Sequence, residues 1–305
     1  MSRMHDAFPG ADLEQRTAQE PEAAQTAAPG AWENSPAKDE AFFAGIALHS
    51  WKPALDSLPT LADRGESIEQ FRGLRSQIYQ FLDSGPLKTI LVSSGMPAEG
   101  KTFVAANLAM NLARNKSQNI LLIDADLRNP SLHTILGAPN VPGLAEYLAG
   151  AAEVNDILQR NQNPRVVEAG GLRSIPDVTF IPGGMGGDSA SELVANHRIE
   201  KLIATLSPHF DWIVVDSPPV LVFTDAVDIA RAADAVLLVA RGAATPYTVA
   251  QRAQAAFSNS RILGFVLNAV KDVPRNSSYY YNYGNHGKNK PASGAHSQKD
   301  KRPQK

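Results

Sequence analysis

The sequence predicts an α/β fold in which a mostly parallel sheet is covered by helices on both faces. Three observations carry this expectation. Short apolar runs alternate with helical periods from residue 67 onward. A glycine-containing loop lies between one such run and a helix. Two of the apolar runs end in aspartate, the position from which parallel sheets address ligands.

The first helix is marked by Ile68, Phe71, Leu74, Ile78 and Leu82, which recur at three- and four-residue steps. Residues 88–94 read as a buried strand and 102–115 as the helix after it. Residues 119–124, 178–182, 212–216, 235–240 and 262–268 read as further strands, with helices from Asp225 and Pro246 between the later ones. Crossovers between such strands are right-handed. No internal repeat is visible.

Composition sets the outer limits. The chain has 305 residues, a formal charge of −2 and no cysteine. A disulfide framework, a thiolate metal site and a cysteine nucleophile are therefore excluded. The near-neutral charge gives no reason to expect nucleic acid. No apolar run approaches the ~20 residues of a membrane span, and the first 22 residues lack the apolar stretch of a secretory signal. A cytoplasmic location is expected. Residues 1–60 read as disordered or loosely docked, since 1–45 hold three Lys/Arg against eight Asp/Glu and no sustained apolar period. Within them, 41–58 carry Phe42, Phe43, Ile46, Trp51 and Leu55, an arm able to dock on the core. Residues 61–272 read as the folded domain. Residues 273–305 read as a flexible tail, with Tyr279, Tyr280, Tyr281 and Tyr283 followed by six Lys/Arg and one acid over 285–305. That basic end suits either plain solvation or attraction to an anionic leaflet.

The loop Gly95-Met96-Pro97-Ala98-Glu99-Gly100-Lys101-Thr102 fits G-x-x-x-x-G-K-[ST], with a strand before it and a helix after it. Its glycines let backbone N–H groups turn toward phosphate oxygens, and the helix start adds a positive dipole end. Lys101 is placed to reach the β- and γ-phosphates of ATP, and Thr102 to bind Mg²⁺. Asp124 and Asp126 end one strand and Asp216 another. Mg²⁺ takes hard oxygen ligands and keeps several waters, so these carboxylates suit it. Asn268 ends the last strand. It could pair with the adenine edge or simply form a turn. Arg128 could meet a phosphate, the incoming tail or a structural acid.

With these motifs in place, the chain resembles the bacterial tyrosine kinases of the CpsD/CapB type, which serve capsule and exopolysaccharide assembly. The resemblance covers about residues 66–285. It rests on the phosphate loop, on Asp124-Ala125-Asp126-Leu127-Arg128-Asn129-Pro130, and on Asp216-Ser217-Pro218-Pro219 with Asp225-Ala226 after it. It also rests on Glu69, Arg72 and Arg75 as an oligomerisation signature, and on the tyrosine cluster. It implies a P-loop NTPase fold like that of MinD/ParA proteins, with ATP and Mg²⁺ as cofactors and Asn268 at the base. It further implies autophosphorylation of the four tyrosines, self-association into a ring, and a Wzz/CapA-like membrane activator that holds the chain at the inner face of the membrane. Lys101, Asp124, Asp126 and Asp216 would carry the chemistry, with the roles of Asp124 and Asp126 left undivided. The competing expectation is a MinD/ParA-like ATPase switch without kinase activity. Such proteins carry a second lysine near the start of the loop, where this chain has Met96.

Overall fold

A computed structural model describes residues 36–62, 65–163, 165–168 and 171–270. In chain order the elements are α1 (Pro36–Ala44), β1 (Ala47–His49), α2 (Glu66–Gln80), β2 (Thr89–Ser94), α3 (Lys101–Leu112), β3 (Ile120–Asp124), α4 (Leu132–Leu136), α5 (Leu144–Ala149), α6 (Val154–Ile157), β4 (Gln159–Asn161), β5 (Arg165–Glu168) and β6 (Gly171–Ser174). There follow β7 (Val178–Ile181), α7 (Ala190–Val194), α8 (Arg198–Leu206), β8 (Trp212–Asp216), α9 (Asp225–Ala230), β9 (Ala235–Arg241), α10 (Tyr247–Ala256) and β10 (Ile262–Asn268).

Eight strands form one sheet in the order β1-β4-β7-β3-β8-β2-β9-β10. Every neighbouring pair is parallel except β4 with β7. The central strands are buried on both faces, so alternate residues feed two separate cores. Leu91, Leu121, Ile123, Ile213, Val215, Val236 and Leu238 point to the face packed by α5, α8, α9 and the end of α10. Ile90, Val92, Ile120, Leu122, Val214, Leu237 and Val239 point to the other, which is packed by α2 and α3. Helix α8 shows why such elements stay in place: Ile199, Leu202, Ile203 and Leu206 form one buried stripe at three- and four-residue steps. No helix among the described residues is long and apolar enough to cross a membrane.

The described part of the segment before residue 61 packs on the core. From Ile46 on it is packed, and β1 adds a strand to the sheet edge beside β4. Trp51 is buried edge-on against Phe180 of β7, with ring centres 6.0 Å apart. The backbone N–H groups of Lys52 and Ala54 donate to Gly137 and Ile135 at 3.1 and 2.8 Å. Gly137 has φ +61°, and a Cβ there would lie 2.0 Å from the Lys52 carbonyl. Leu58 and Leu61 then enter the core under α3, where Asn107 holds Thr60 through its side chain at 2.8 Å. Helix α2, predicted from residue 67, lies against α3 through Phe71 and Phe103.

If this arm is part of the fold, Trp51→Ala removes a large core side chain and lowers unfolding stability by about 3–5 kcal/mol. Urea denaturation followed by far-UV circular dichroism measures it. A loss under about 1 kcal/mol would show that the arm only rests on the surface.

Candidate nucleotide and phosphoryl-transfer site

Strand β2 lies at the centre of the sheet between β8 and β9, and the phosphate loop leaves its carboxyl end. Gly100 is the residue before α3 and has φ +95°, a left-handed conformation that glycine adopts without strain. No side chain caps α3, and the first N–H groups of an α-helix have no intrahelical acceptor, which suits them to bind an anion. Ala98 also has a positive φ, +61°, a strained setting for a residue with a Cβ.

Neighbouring elements hold the loop in shape. The Met96 N–H donates to Glu99 Oε2 at 2.8 Å, and the Thr245 hydroxyl donates to Glu99 Oε1. Arg241 donates to the Ala98 carbonyl at 3.1 Å, and Thr245 Oγ1 accepts the Arg241 N–H at 2.8 Å. Asn268 Nδ2 donates to the Glu99 carbonyl at 3.0 Å. This latch is what the structure shows Asn268 doing. A Cβ on residue 100 would come within 1.9 Å of that same amide nitrogen. The sequence reading missed Arg241 and Thr245. The visible signal was Thr245 just before the Pro246 helix start, but nothing local says that it reaches back 146 residues.

The aspartates are brought together by strand register. Asp124 of β3 pairs with Asp216 of β8 across the sheet, at the carboxyl ends of both strands. Asp124 is pinned: its Oδ2 accepts the N–H groups of Ser131 and Leu132 at 2.9 Å each, and its Oδ1 accepts that of Asp126 at 3.2 Å. Lys101 Nζ donates to Asp126 Oδ2 at 2.8 Å and to Thr102 Oγ1 at 3.3 Å, and lies 4.0 Å from Asp216 Oδ1. Burial, then the adjacent Asp216, push Asp124 up to about 8, against the pull of its backbone donors. Burial also pushes Asp216 up to about 6, while Lys101 and the nearby Thr102 hydroxyl draw it down. For Lys101 burial works downward, but Asp216, Asp126 and Asp124 together outweigh it and raise its pKa.

Arg128 is committed to an acid: its Nε donates to Asp225 Oδ2 at 2.9 Å, and its Nη2 donates to the Ser191 hydroxyl, which in turn donates to Asp225. Of the three expected interface residues, Glu69 and Arg72 form an exposed pair on α2 at 2.6 Å. Arg75 turns away from them and donates to the Asn111 carbonyl of α3 at 2.9 Å. The three therefore do not make one exposed face. The expected acceptors Tyr279, Tyr280, Tyr281 and Tyr283 lie outside the described residues.

The donor set fits a Mg²⁺-nucleotide. Among the described residues, neither buried oxygen of Asp216 has a hydrogen-bond partner, and the Lys101 ammonium stands no nearer than 4.0 Å. Such a carboxylate is costly unless a cation or water completes it. The loop supplies N–H donors, a lysine and a hydroxyl within reach of that acid, which is the chemistry a phosphate-bound divalent ion needs.

This arrangement makes the nucleotide-free protein pH-sensitive. In the folded state Asp124 and Asp216 hold protons that the unfolded chain, with carboxylates near ~4, has already released. Between about pH 4 and 8 stability therefore falls as pH rises. Asp216→Asn removes one of the two charges, so the apo variant should melt no lower than the parent and show a shallower pH slope. The same variant should lose the extra stabilisation that Mg-ATP confers. Scanning calorimetry at pH 5, 6.5 and 8, with and without Mg-ATP, tests this. A marked fall of apo stability in the variant would mean that Asp216 serves the fold and not a ligand.

Residues 87–249 match a family model described as an AAA domain. CapB of Staphylococcus aureus, which carries a tyrosine-protein kinase name, is 31% identical over 218 residues, covering 71% of this chain and 90% of CapB. The tyrosine-protein kinase wzc of Salmonella typhimurium is 29% identical over 259 residues, 79% of this chain but 34% of that protein, so the chain spans about a third of that relative's length. Among solved structures, the kinase domain of the Escherichia coli tyrosine kinase ETK superposes with a TM-score of 0.58 at 31% identity, covering 72% of this chain and 80% of that one. The P-loop NTPase fold, the in-register aspartates and these likenesses agree: the chain belongs to the bacterial tyrosine-kinase family.

Proposed function

We propose that this chain is an ATP-dependent protein-tyrosine kinase that phosphorylates its own C-terminal cluster, Tyr279, Tyr280, Tyr281 and Tyr283, and thereby regulates exopolysaccharide or capsule polymerisation and export. The observation that carries the reading is the Lys101 ammonium, held 2.8 Å from Asp126 and 4.0 Å from Asp216 at the mouth of an intact phosphate loop. Family membership supports the same reading.

Phosphoryl transfer asks a protein mainly for positioning and charge neutralisation. The α3 N–H groups and Lys101 would bind the ATP phosphates, Lys101 leaving Asp126 to do so. Thr102, Asp216 and Asp124 would hold Mg²⁺ directly or through water, and the ion supplies neutralisation of charge on the transferring group. Asp124 is fixed by three backbone donors and has no exposed surface, whereas the Asp126 side chain keeps 6% exposure. Asp126, once freed from Lys101, is thus the group placed to take the proton of an incoming tyrosine, whose hydroxyl has a pKa near ~10 in water. Asn268 would reach the adenine edge only by giving up or sharing its bond to the Glu99 carbonyl.

From Val270, the last described residue, nine residues to Tyr279 span at most about 32 Å. The family resemblance, and not this reach, is what supports delivery to a neighbouring subunit in a ring. In such a ring Glu69 and Arg72 would provide the exposed contact and Arg75 would fix α2 on α3. A separate membrane protein would act as activator and hold the chain at the inner face of the membrane.

Three measurements bear on this. Purified protein given Mg-ATP should become phosphotyrosine-positive, and Lys101→Met should lose that signal while keeping its circular dichroism spectrum. Replacing the four tail tyrosines with Phe should end autophosphorylation and leave ATP binding unchanged; phosphate found chiefly at Tyr79, Tyr147 or Tyr247 would refute the tail as substrate. Glu69→Ala with Arg72→Ala should reduce the mass seen by light scattering, and an unchanged mass would remove those two residues from the ring contact.

A further inference from the structure

The loops that border Asp126 carry apolar side chains that no step of the phosphoryl transfer uses. Met185 is 78% exposed, Val141 49% and Val222 46%. Met185 lies on the loop that leaves the carboxyl end of β7, and Val222 on the loop that leaves the carboxyl end of β8. Val141 lies on the segment between α4 and α5. Exposed apolar side chains scattered singly are ordinary, but a group of them around one site marks a contact surface. Backbone contacts place the Met185 loop. A Cβ on Gly186 would fall 2.7 Å from the Leu127 Cβ, and the Gly187 N–H donates to the Leu127 carbonyl at 3.0 Å. A Cβ on Gly183 would fall 2.5 Å from Pro130 and 3.5 Å from the Asp124 carboxyl carbon. Met185 stands between these two contacts. At 3.8 Å per Cα step, its Cα is within about 14 Å of the Cα of Asp126. One tyrosine side chain and one neighbouring residue span such a gap.

The same loop is held firmly from behind. The Met185 N–H donates to Glu146 Oε1 at 3.1 Å, and Glu146 Oε2 accepts the Gly143 N–H at 2.8 Å. Asn140 is paired with Gly184 in both directions: its Nδ2 donates to the Gly184 carbonyl at 2.9 Å, and its Oδ1 accepts the Gly184 N–H at 3.3 Å. Val141, the next residue, is thus fixed beside the Met185 loop. A fixed backbone that presents a free, polarizable thioether suits a surface that takes aromatic rings. Val222 borders the same segment through Arg128. The Leu221 N–H donates to the Gly95 carbonyl at 3.2 Å, and the Arg128 guanidinium lies over the Phe223 ring at 4.3 Å. The loop after β8 therefore runs from the phosphate loop to the residues that follow Asp126.

We propose that Met185, Val141 and Val222 form an apolar lip that grips the acceptor peptide on either side of its tyrosine and selects aromatic or aliphatic neighbours. The proposal rests on the tyrosine-kinase reading above and names the substrate class of that same site: a tyrosine within an uncharged, aromatic-rich segment. The tyrosine hydroxyl meets Asp126 while the neighbouring side chains bury against the lip. Removal of apolar surface from water supplies the affinity, with sulfur–ring contact at Met185. Salt screens charge pairs and does not screen this contact.

Two fluorescein-labelled synthetic peptides test it, one with phenylalanine on each side of a single tyrosine and one with serine there instead. Binding to the full chain in the presence of Mg-ADP is read by fluorescence anisotropy, and phosphorylation by phosphotyrosine detection with Mg-ATP. The phenylalanine peptide should bind about tenfold tighter than the serine peptide, with no loss of affinity on adding salt. Met185→Ser with Val222→Ser should erase that preference and raise KM for the phenylalanine peptide about tenfold, leaving kcat and ATP affinity unchanged. Both side chains are exposed, and an unchanged melting temperature confirms that the variant folds. Met185→Leu with Val222→Ile should keep the preference. Equal affinity for the two peptides in the parent, binding of neither, or a preference that survives in the serine variant overturns the proposal. So does a serine variant that loses mass in light scattering while its peptide affinity is unchanged, since the lip would then join copies of this chain. Phenylalanine-selective binding that the serine variant loses, with no phosphate reaching any tyrosine, supports the lip as an aromatic-peptide site and overturns the kinase reading instead.

Discussion

One ammonium group balances the centre of this molecule. Sheet register brings Asp124 and Asp216 side by side, the next turn adds Asp126, and Lys101 is the cation set among them. Carboxylates this buried would repel one another and take up protons without it, and two of them already sit well above the usual carboxylate range. The lysine cannot serve the acids and a triphosphate at once. Were it to turn toward a bound phosphate, the acids would need another positive charge, which a divalent ion would supply. Metal and nucleotide are therefore expected to strengthen each other's binding, and by linkage to do so equally.

The site's central features were legible in the sequence because each is local. The phosphate loop is eight contiguous residues, and the aspartates end runs that periodicity marks as strands. Parallel pairing then does the rest, since strands that start together end together. The illegible parts are those that depend on distant partners. Nothing around Thr245 announces that it will grip Glu99, and nothing around Arg75 announces that it will bind the Asn111 carbonyl while Arg72 stays with Glu69. Three-residue spacing placed all three on one helix face, and long flexible side chains then chose different directions.

Before residue 61 the acidic average belongs to 1–45, whereas the apolar residues of 41–58 mark an arm able to dock. Trp51 fills a site beside Phe180, and the backbone of Lys52 closes on Gly137. Here β1 also completes the sheet edge beside β4, the one strand that runs antiparallel to its β7 neighbour.

The contact between Gly100 and Asn268 has an evolutionary consequence. The two positions are far apart in sequence yet share one volume, since any Cβ at 100 falls 1.9 Å from the Asn268 amide nitrogen. A smaller residue at 268 would make room, but position 100 would still sit at φ +95°, where side chains are strained. The route from glycine to any other residue is thus blocked twice, by a neighbour and by the backbone. Asn268 is freer to change, though each change would loosen the carbonyl of Glu99. Mutational drift at this corner of the molecule is one-sided: the amide can vary first, and the glycine cannot follow.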